Sequence, residues 1–156
     1  MPILTNLSKA YFPTFYKRIF ERNDNRELFI YSRAEHKEKY TKELDITQPS
    51  KPHLRWHPSR QEWITYSDGR KNRTTFPPKE YCPFCPAHDL SHPTEIPFKQ
   101  FEVAILPNRW SSFNTNNQLI DIEGVNTKPS NGLCEVVVYS SNHEDTVSEM
   151  PLNKIE

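Results

Sequence analysis

The chain has 156 residues, the size of one ordinary domain, and its 20 Lys plus Arg balance 20 Asp plus Glu to a formal net charge of zero. That balance argues against a nucleic-acid binder, which carries a basic excess, and no apolar run approaches the roughly 20 residues that span a membrane. Hydrophobic residues make up only 35% while aromatics reach 12%, and 14 prolines stand against 3 glycines, so extended, stiff connections and ring-filled packing replace long helices.

Residues 1–50 are polar and charge-dense, with aromatic clusters at Tyr11-Phe12 and Phe29-Ile30-Tyr31. They read as an N-terminal extension that packs on the domain or on a partner subunit, with a short charged helix expected over 32–43 before Pro49 and Pro52 break the chain. The first 20 residues lack the charged-then-apolar layout of a secretory signal, and three cysteines, two of them in a Cys-x-x-Cys pair, do not form a secreted disulfide framework. A reducing cytoplasm is the expected setting.

From Leu54 the pattern changes. Leu54-Arg55-Trp56 and Trp63-Ile64-Thr65-Tyr66 predict two short strands around a turn at His57-Pro58-Ser59-Arg60. Ser67-Asp68-Gly69 closes the second strand, and a basic stretch with Arg70, Lys71 and Arg73 follows. Pro77, Pro78, Pro83 and Pro86 keep the cysteine segment from being helical. Residues 102–106 predict a strand ending at Pro107-Asn108, and 119–130 predict a loop. Residues 134–139, with three consecutive valines, give the strongest strand signal. Pro151 is placed as the first residue of a helix, but only Leu152 and Ile155 follow before Glu156, so the sequence reads as a chain cut within that helix.

Cys82-Pro83-Phe84-Cys85 carries the chemistry. Two thiols two residues apart can clamp one soft metal ion, zinc above all. A redox site of the same spacing needs a helix starting at the first cysteine to lower its pKa, and Pro86 and the following loop oppose that helix. His88 and His92 could complete a local set of ligands, and His143, at the end of the valine strand, offers a non-local alternative. Spacing alone leaves both open. Cys134 reads as a buried structural thiol. Arg70 and Arg73 could fork onto phosphate oxygens or form a solvated turn. Asn108 could bond a ribose or base, or stabilise its turn, and Phe84 could stack on a base or fill its own loop.

The order of these pieces is more telling than any of them alone. Leu54-Arg55-Trp56-His57-Pro58 with Glu62-Trp63-Ile64, then Arg70-x-x-Arg73 and Cys82-Pro83-Phe84-Cys85-Pro86, resembles galactose-1-phosphate uridylyltransferase. The likeness continues through Glu102-Val103-Ala104-Ile105-Leu106-Pro107-Asn108-Arg109, through Gly132-Leu133-Cys134-Glu135-Val136-Val137-Val138-Tyr139-Ser140, and to Asn142-His143. It covers roughly residues 51–156 and leaves 1–50 unmatched.

The resemblance implies an α+β fold, here half of a histidine-triad-like domain: an antiparallel sheet with long Pro-rich loops and little helix. It implies uridylyl exchange between UDP-glucose and a hexose 1-phosphate by double displacement, with a histidine carrying the uridylyl group covalently. It assigns Cys82, Cys85 and His143 as zinc ligands, which favours His143 over His88 and His92. It places Arg70 and Arg73 near the phosphates, Pro83 and Phe84 on the uracil, and Asn108 beside the nucleoside. Arg109 stands where some members carry aspartate, and Trp110 where a smaller aromatic is usual. A cytoplasmic homodimer is implied for the full-length enzyme.

The His-Pro-His-Gly-Gln motif that supplies the family's nucleophile and fourth zinc ligand is absent. The chain therefore reads as the N-terminal portion of such an enzyme, inactive by itself, with no catalytic residue to assign. Two other readings share the cysteine loop: an ADP-glucose phosphorylase-like nucleotidyltransferase, and a non-catalytic zinc-stabilised module held by Cys82, Cys85, His88 and His92.

Overall fold

A computed structural model describes residues 15–22, 26–35, 51–73, 77–86, 93–115 and 117–155. Seven strands and one short helix lie within them: β1 (Tyr16–Glu21), β2 (Glu27–Ser32), β3 (His53–His57), β4 (Glu62–Tyr66), β5 (Val103–Pro107), β6 (Thr127–Pro129), β7 (Glu135–Val138) and α1 (Leu152–Ile155). They form two antiparallel sheets, one of four strands in the order β1-β2-β5-β7 and one of three in the order β4-β3-β6. Two antiparallel sheets with little helix match the α+β expectation, with the single sheet of that expectation divided in two. No helix among the described residues is long and apolar enough to cross a membrane.

The larger sheet is built by period-two patterning. In β2, Leu28, Ile30 and Ser32 are buried while Phe29 and Tyr31 take the opposite, half-covered face. In β5 the buried positions are Ala104 and Leu106. The pairing sets Ile30 opposite Ala104, and Leu106 opposite Val136 of β7. These inward residues meet Ile96, Phe98 and Phe101 from the irregular segment before β5, and Phe20, Val136 and Val138 pack around the cluster. The Phe20 and Phe98 rings lie 4.4 Å apart between centroids.

The β3–β4 hairpin pairs as its sequence predicts, with Trp56 opposite Trp63 and their rings 5.5 Å apart. Its turn needs one left-handed residue, which is Gln61 at φ 53°. The Gln61 N–H closes the turn on the His57 carbonyl at 2.8 Å. Lys128 of β6 sits over the Trp63 ring and Arg55 over Tyr66, at 4.3 and 4.2 Å from the centroids, so cations cover aromatic faces that the small sheet leaves half-exposed.

Several expectations change. Residues 119–130 are not all loop, because Thr127–Pro129 adds β6 to β3. A three-residue strand ending in proline lacks the alternation that marks longer strands, and it sits at a sheet edge, where a missing N–H is tolerated. The N-terminal stretch, read as an extension, contributes β1 and β2 to the larger sheet. Ser32 ends β2 and does not open a helix, and most of the helix expected over 32–43 lies outside the described residues. Cys134 is half-buried and immediately precedes β7. Pro151 does open α1: its carbonyl accepts the Lys154 N–H at 2.8 Å.

The core makes a quantitative prediction. Ile30 is 0% exposed on a strand paired on both sides, so Ile30→Ala leaves a cavity and lowers stability by about 2–5 kcal/mol in urea unfolding. Val137, 56% exposed on the other face of β7, changes it by less than about 0.5 kcal/mol on truncation to alanine. Equal losses at the two positions would contradict this assignment of faces.

Candidate functional site

The cysteine loop is shaped by its prolines. After Pro78 the chain makes one tight turn over Lys79–Tyr81, with the Tyr81 N–H on the Pro78 carbonyl at 2.9 Å and the Cys82 N–H on the Lys79 carbonyl at 3.2 Å. The Cys85 N–H then reaches the Cys82 carbonyl at 3.4 Å, which turns the chain back and brings the two thiols together. The Pro83 carbonyl accepts the Glu95 N–H at 2.7 Å, and a bridge between Pro86 and Ile96 closes the loop against the start of the core segment.

His143 lies on a second turn, just past β7, that is organised around Asp145. The Asp145 carboxylate accepts the Ser140 hydroxyl at 2.5 Å, the Asn142 amide at 2.6 Å and the Lys154 ammonium at 3.2 Å. Ser140, Lys154 and Asn142 hold its pKa below the ordinary carboxylate range. The Asn142 side-chain oxygen accepts the Glu144 N–H at 3.3 Å. This turn holds out an exposed imidazole.

Cys82, Cys85 and His143 present one ligand atom each, all within 4.8 Å of one another, and Cys85 Sγ lies 3.0 Å from His143 Nδ1. Donors sharing one tetrahedral zinc, with Zn–S about 2.3 Å and Zn–N about 2.0–2.1 Å, sit roughly 3.5–3.8 Å apart. Side-chain movements of up to about 1 Å therefore suffice, and two thiols plus an imidazole suit a soft divalent ion. Lys79 and Glu144 form an ion pair across the two loops, which raises the lysine pKa and lowers that of the carboxylate. His88 and His92 lie outside the described residues.

Cys85 is not an activated thiol. Burial, followed by the hydrogen bond and the like charge of Cys82, pushes the Cys85 thiol up to about 11, with Lys79 acting weakly the other way. A reactive disulfide-exchange thiol needs the opposite shift.

The candidate nucleotide contacts come from two parts of the chain. Arg70, in the tight turn Asp68–Asn72 that follows β4, donates from Nη1 to the Trp110 carbonyl at 3.3 Å and to the Ser112 hydroxyl at 3.2 Å. Asn108 approaches the same residue from the other side: its Oδ1 accepts the Trp110 N–H at 2.9 Å, and its own N–H reaches the Cys134 carbonyl at 2.8 Å. Arg70 and Asn108 thus converge on the Trp110 backbone, and Asn108 stabilises its turn as the plainer reading of that residue expects. Arg73 ends the turn exposed, with its N–H on the Arg70 carbonyl at 3.2 Å. Pro83 and Phe84 lie half-buried in the cysteine loop.

A charged cluster links the two parts and has no counterpart in the sequence reading. Glu95 is 3% exposed, and its Oε2 accepts Arg22 Nη1 at 2.5 Å and Arg26 Nη2 at 2.9 Å, while Arg109 Nη1 lies 3.8 Å from Oε1. Arg22 Nη1 also reaches the Glu95 carbonyl at 2.9 Å, and Arg26 Nη1 donates to the Pro107 carbonyl at 2.9 Å. Nothing in Pro93-Thr94-Glu95-Ile96 marks the glutamate as buried, because its three cations come from distant positions in the chain.

No protein-family model and no solved structure matches the chain. Among curated proteins it is similar to galactose-1-phosphate uridylyltransferase of Thermotoga maritima, 33% identical over 106 residues, which are 66% of this chain and 31% of that protein. The matched stretch thus spans about a third of the relative's length. The similarity is to a protein of the family that the motifs of residues 51–156 resemble.

Proposed function

We propose that these residues form part of a UDP-glucose–hexose-1-phosphate uridylyltransferase of galactose metabolism, acting by double displacement through a uridylyl-histidine. The observation that carries the reading is the meeting of Cys82 and Cys85 with His143, ligands from two distant turns that the family likeness assigns to one zinc ion. When bound, the ion supplies a cross-link between the cysteine loop and the turn beyond β7, a structural role.

The chain's own groups have binding tasks in this reading. Arg70 and Arg73 balance phosphate charge, and Arg70 is already oriented by two neutral acceptors, the Trp110 carbonyl and the Ser112 hydroxyl. Pro83 and Phe84 offer an apolar surface to the uracil, and Asn108 stands beside the nucleoside. The nucleophile belongs outside these 156 residues, since no His-Pro-His-Gly-Gln motif occurs among them. The complete enzyme in this reading is a cytoplasmic homodimer.

Two measurements test the reading. In competition with a chromophoric chelator, His143→Ala weakens zinc binding by at least about 10–100-fold, the range that loss of even an outer-shell partner produces, while His88→Ala leaves it unchanged. The reverse pattern would favour a local zinc module built from His88 and His92. In calorimetric titration of the zinc-loaded chain, UDP-glucose binds more tightly than ADP-glucose. A preference for ADP-glucose would move the assignment to an adenylyl-transferring relative.

A further inference from the structure

We propose that Glu95 is a positioning residue that couples the Cys82–Cys85 loop to the Pro107–Trp110 turn, so that zinc binding at the first orders the second. The coupling follows from this chain's own contacts. It deepens the transferase reading only in that the reading gives these two segments to metal and nucleoside.

The topology creates the need for such a link. β7 runs antiparallel to β5, with Pro107 opposite Glu135 and Ala104 opposite Val138. The Asn108 turn and the His143 turn therefore leave opposite ends of this strand pair. Glu95 bridges that separation through three of its own groups. Its N–H holds the Pro83 carbonyl at 2.7 Å, inside the cysteine loop. Its Oε2 holds Arg26, whose other amino group donates to the Pro107 carbonyl, immediately before Asn108. Its Oε1 faces Arg109, immediately after Asn108, and the Arg109 guanidinium lies 5.4 Å from the centroid of the Trp110 ring.

Anchoring the β1–β2 hairpin would require less. Arg22 alone, 4% exposed, contacts both the carboxylate and the carbonyl of Glu95 and would fasten residues 22 and 95 together. The branches through Arg26 and Arg109 lead instead to the two residues that flank Asn108. A buried network of this kind has few alternative arrangements of comparable energy, because displacing the carboxylate strips several guanidiniums of a partner together. Movement of the cysteine loop is thereby passed to the turn as a discrete shift and is not absorbed.

Amide hydrogen exchange on the 156-residue chain, with and without zinc, tests the coupling independently of any nucleotide. In the wild type, zinc slows exchange at Cys85 and also at Asn108 and Trp110, the latter two by about fivefold or more, the lower end of ordinary coupling factors. In Glu95→Gln the protection at Cys85 persists and that at Asn108 and Trp110 is lost. Arg26→Met removes the branch to Pro107, leaves Arg109 facing Glu95 and reduces that protection, and it decides the matter if Glu95→Gln fails to fold. Amides of β3 and β4 keep their rates throughout, which separates coupling from general loosening. Zinc protection confined to the cysteine loop in the wild type would overturn the proposal, as would unchanged coupling in Arg26→Met. A wild-type chain that shows the coupled protection yet binds no UDP-glucose would remove the transferase reading and leave the coupling standing.

Discussion

The pairing of β5 with β2 on one side and β7 on the other is the constraint on which the larger sheet and both candidate loops depend. It fixes Ala104 and Leu106 as the inward positions, and the register then selects Ile30 on one neighbour and Val136 and Val138 on the other to join them. A slip of one residue would turn each of these side chains to the opposite face, so burial of the apolar cluster holds the register. With the register held, Asn108 must extend the ladder to Cys134, and the chain leaving β7 must carry His143 away from the other end of the pair. The placement of chemistry-bearing residues is thus a consequence of ordinary strand packing.

That dependence explains which parts were legible in the sequence. The β3–β4 hairpin was readable because its strands and turn are contiguous, and β7 because three valines leave little else for the segment to do. The cysteine pair was readable because prolines exclude the helix that redox chemistry needs. The choice of His143 was not readable from spacing, since it depends on strand pairing across 58 residues, and it came from family likeness. β6 escaped because Thr-Lys-Pro has neither length nor alternation. The buried carboxylate escaped for a different reason. A charged residue is by default an exposed one, and only the folded chain shows that Arg22, Arg26 and Arg109 come together at Glu95.

The two loops that carry Cys82, Cys85 and His143 are held together by modest forces of their own. Lys79 and Glu144 form an exposed pair, with side chains 57% and 65% accessible, and such a pair is screened by solvent and salt. The contact of Cys85 with His143 involves a thiol whose pKa is raised by burial and by the neighbouring Cys82. A thiol and an imidazole in contact make a weak hydrogen bond, whereas a thiolate and an imidazole on a shared divalent ion make strong bonds. The arrangement therefore holds the three donor atoms near one another without locking them, a disposition that would let them close around an ion.

The arginines themselves separate into two groups by the acceptors they meet. Arg22, Arg26 and Arg109 share one buried carboxylate, which offsets part of their charge and commits their geometry to the fold. Arg70 is held by a carbonyl and a hydroxyl, groups that orient a guanidinium but carry no opposing charge. An arginine fixed this way on an exposed turn retains its full attraction for an incoming anion and gives up less side-chain freedom when it binds one. The same carbonyl–amide unit at Trp110 is clamped on its N–H side by Asn108. One short backbone segment therefore orients both the Arg70 guanidinium and the Asn108 amide, and the spacing between those two groups is set by the fold.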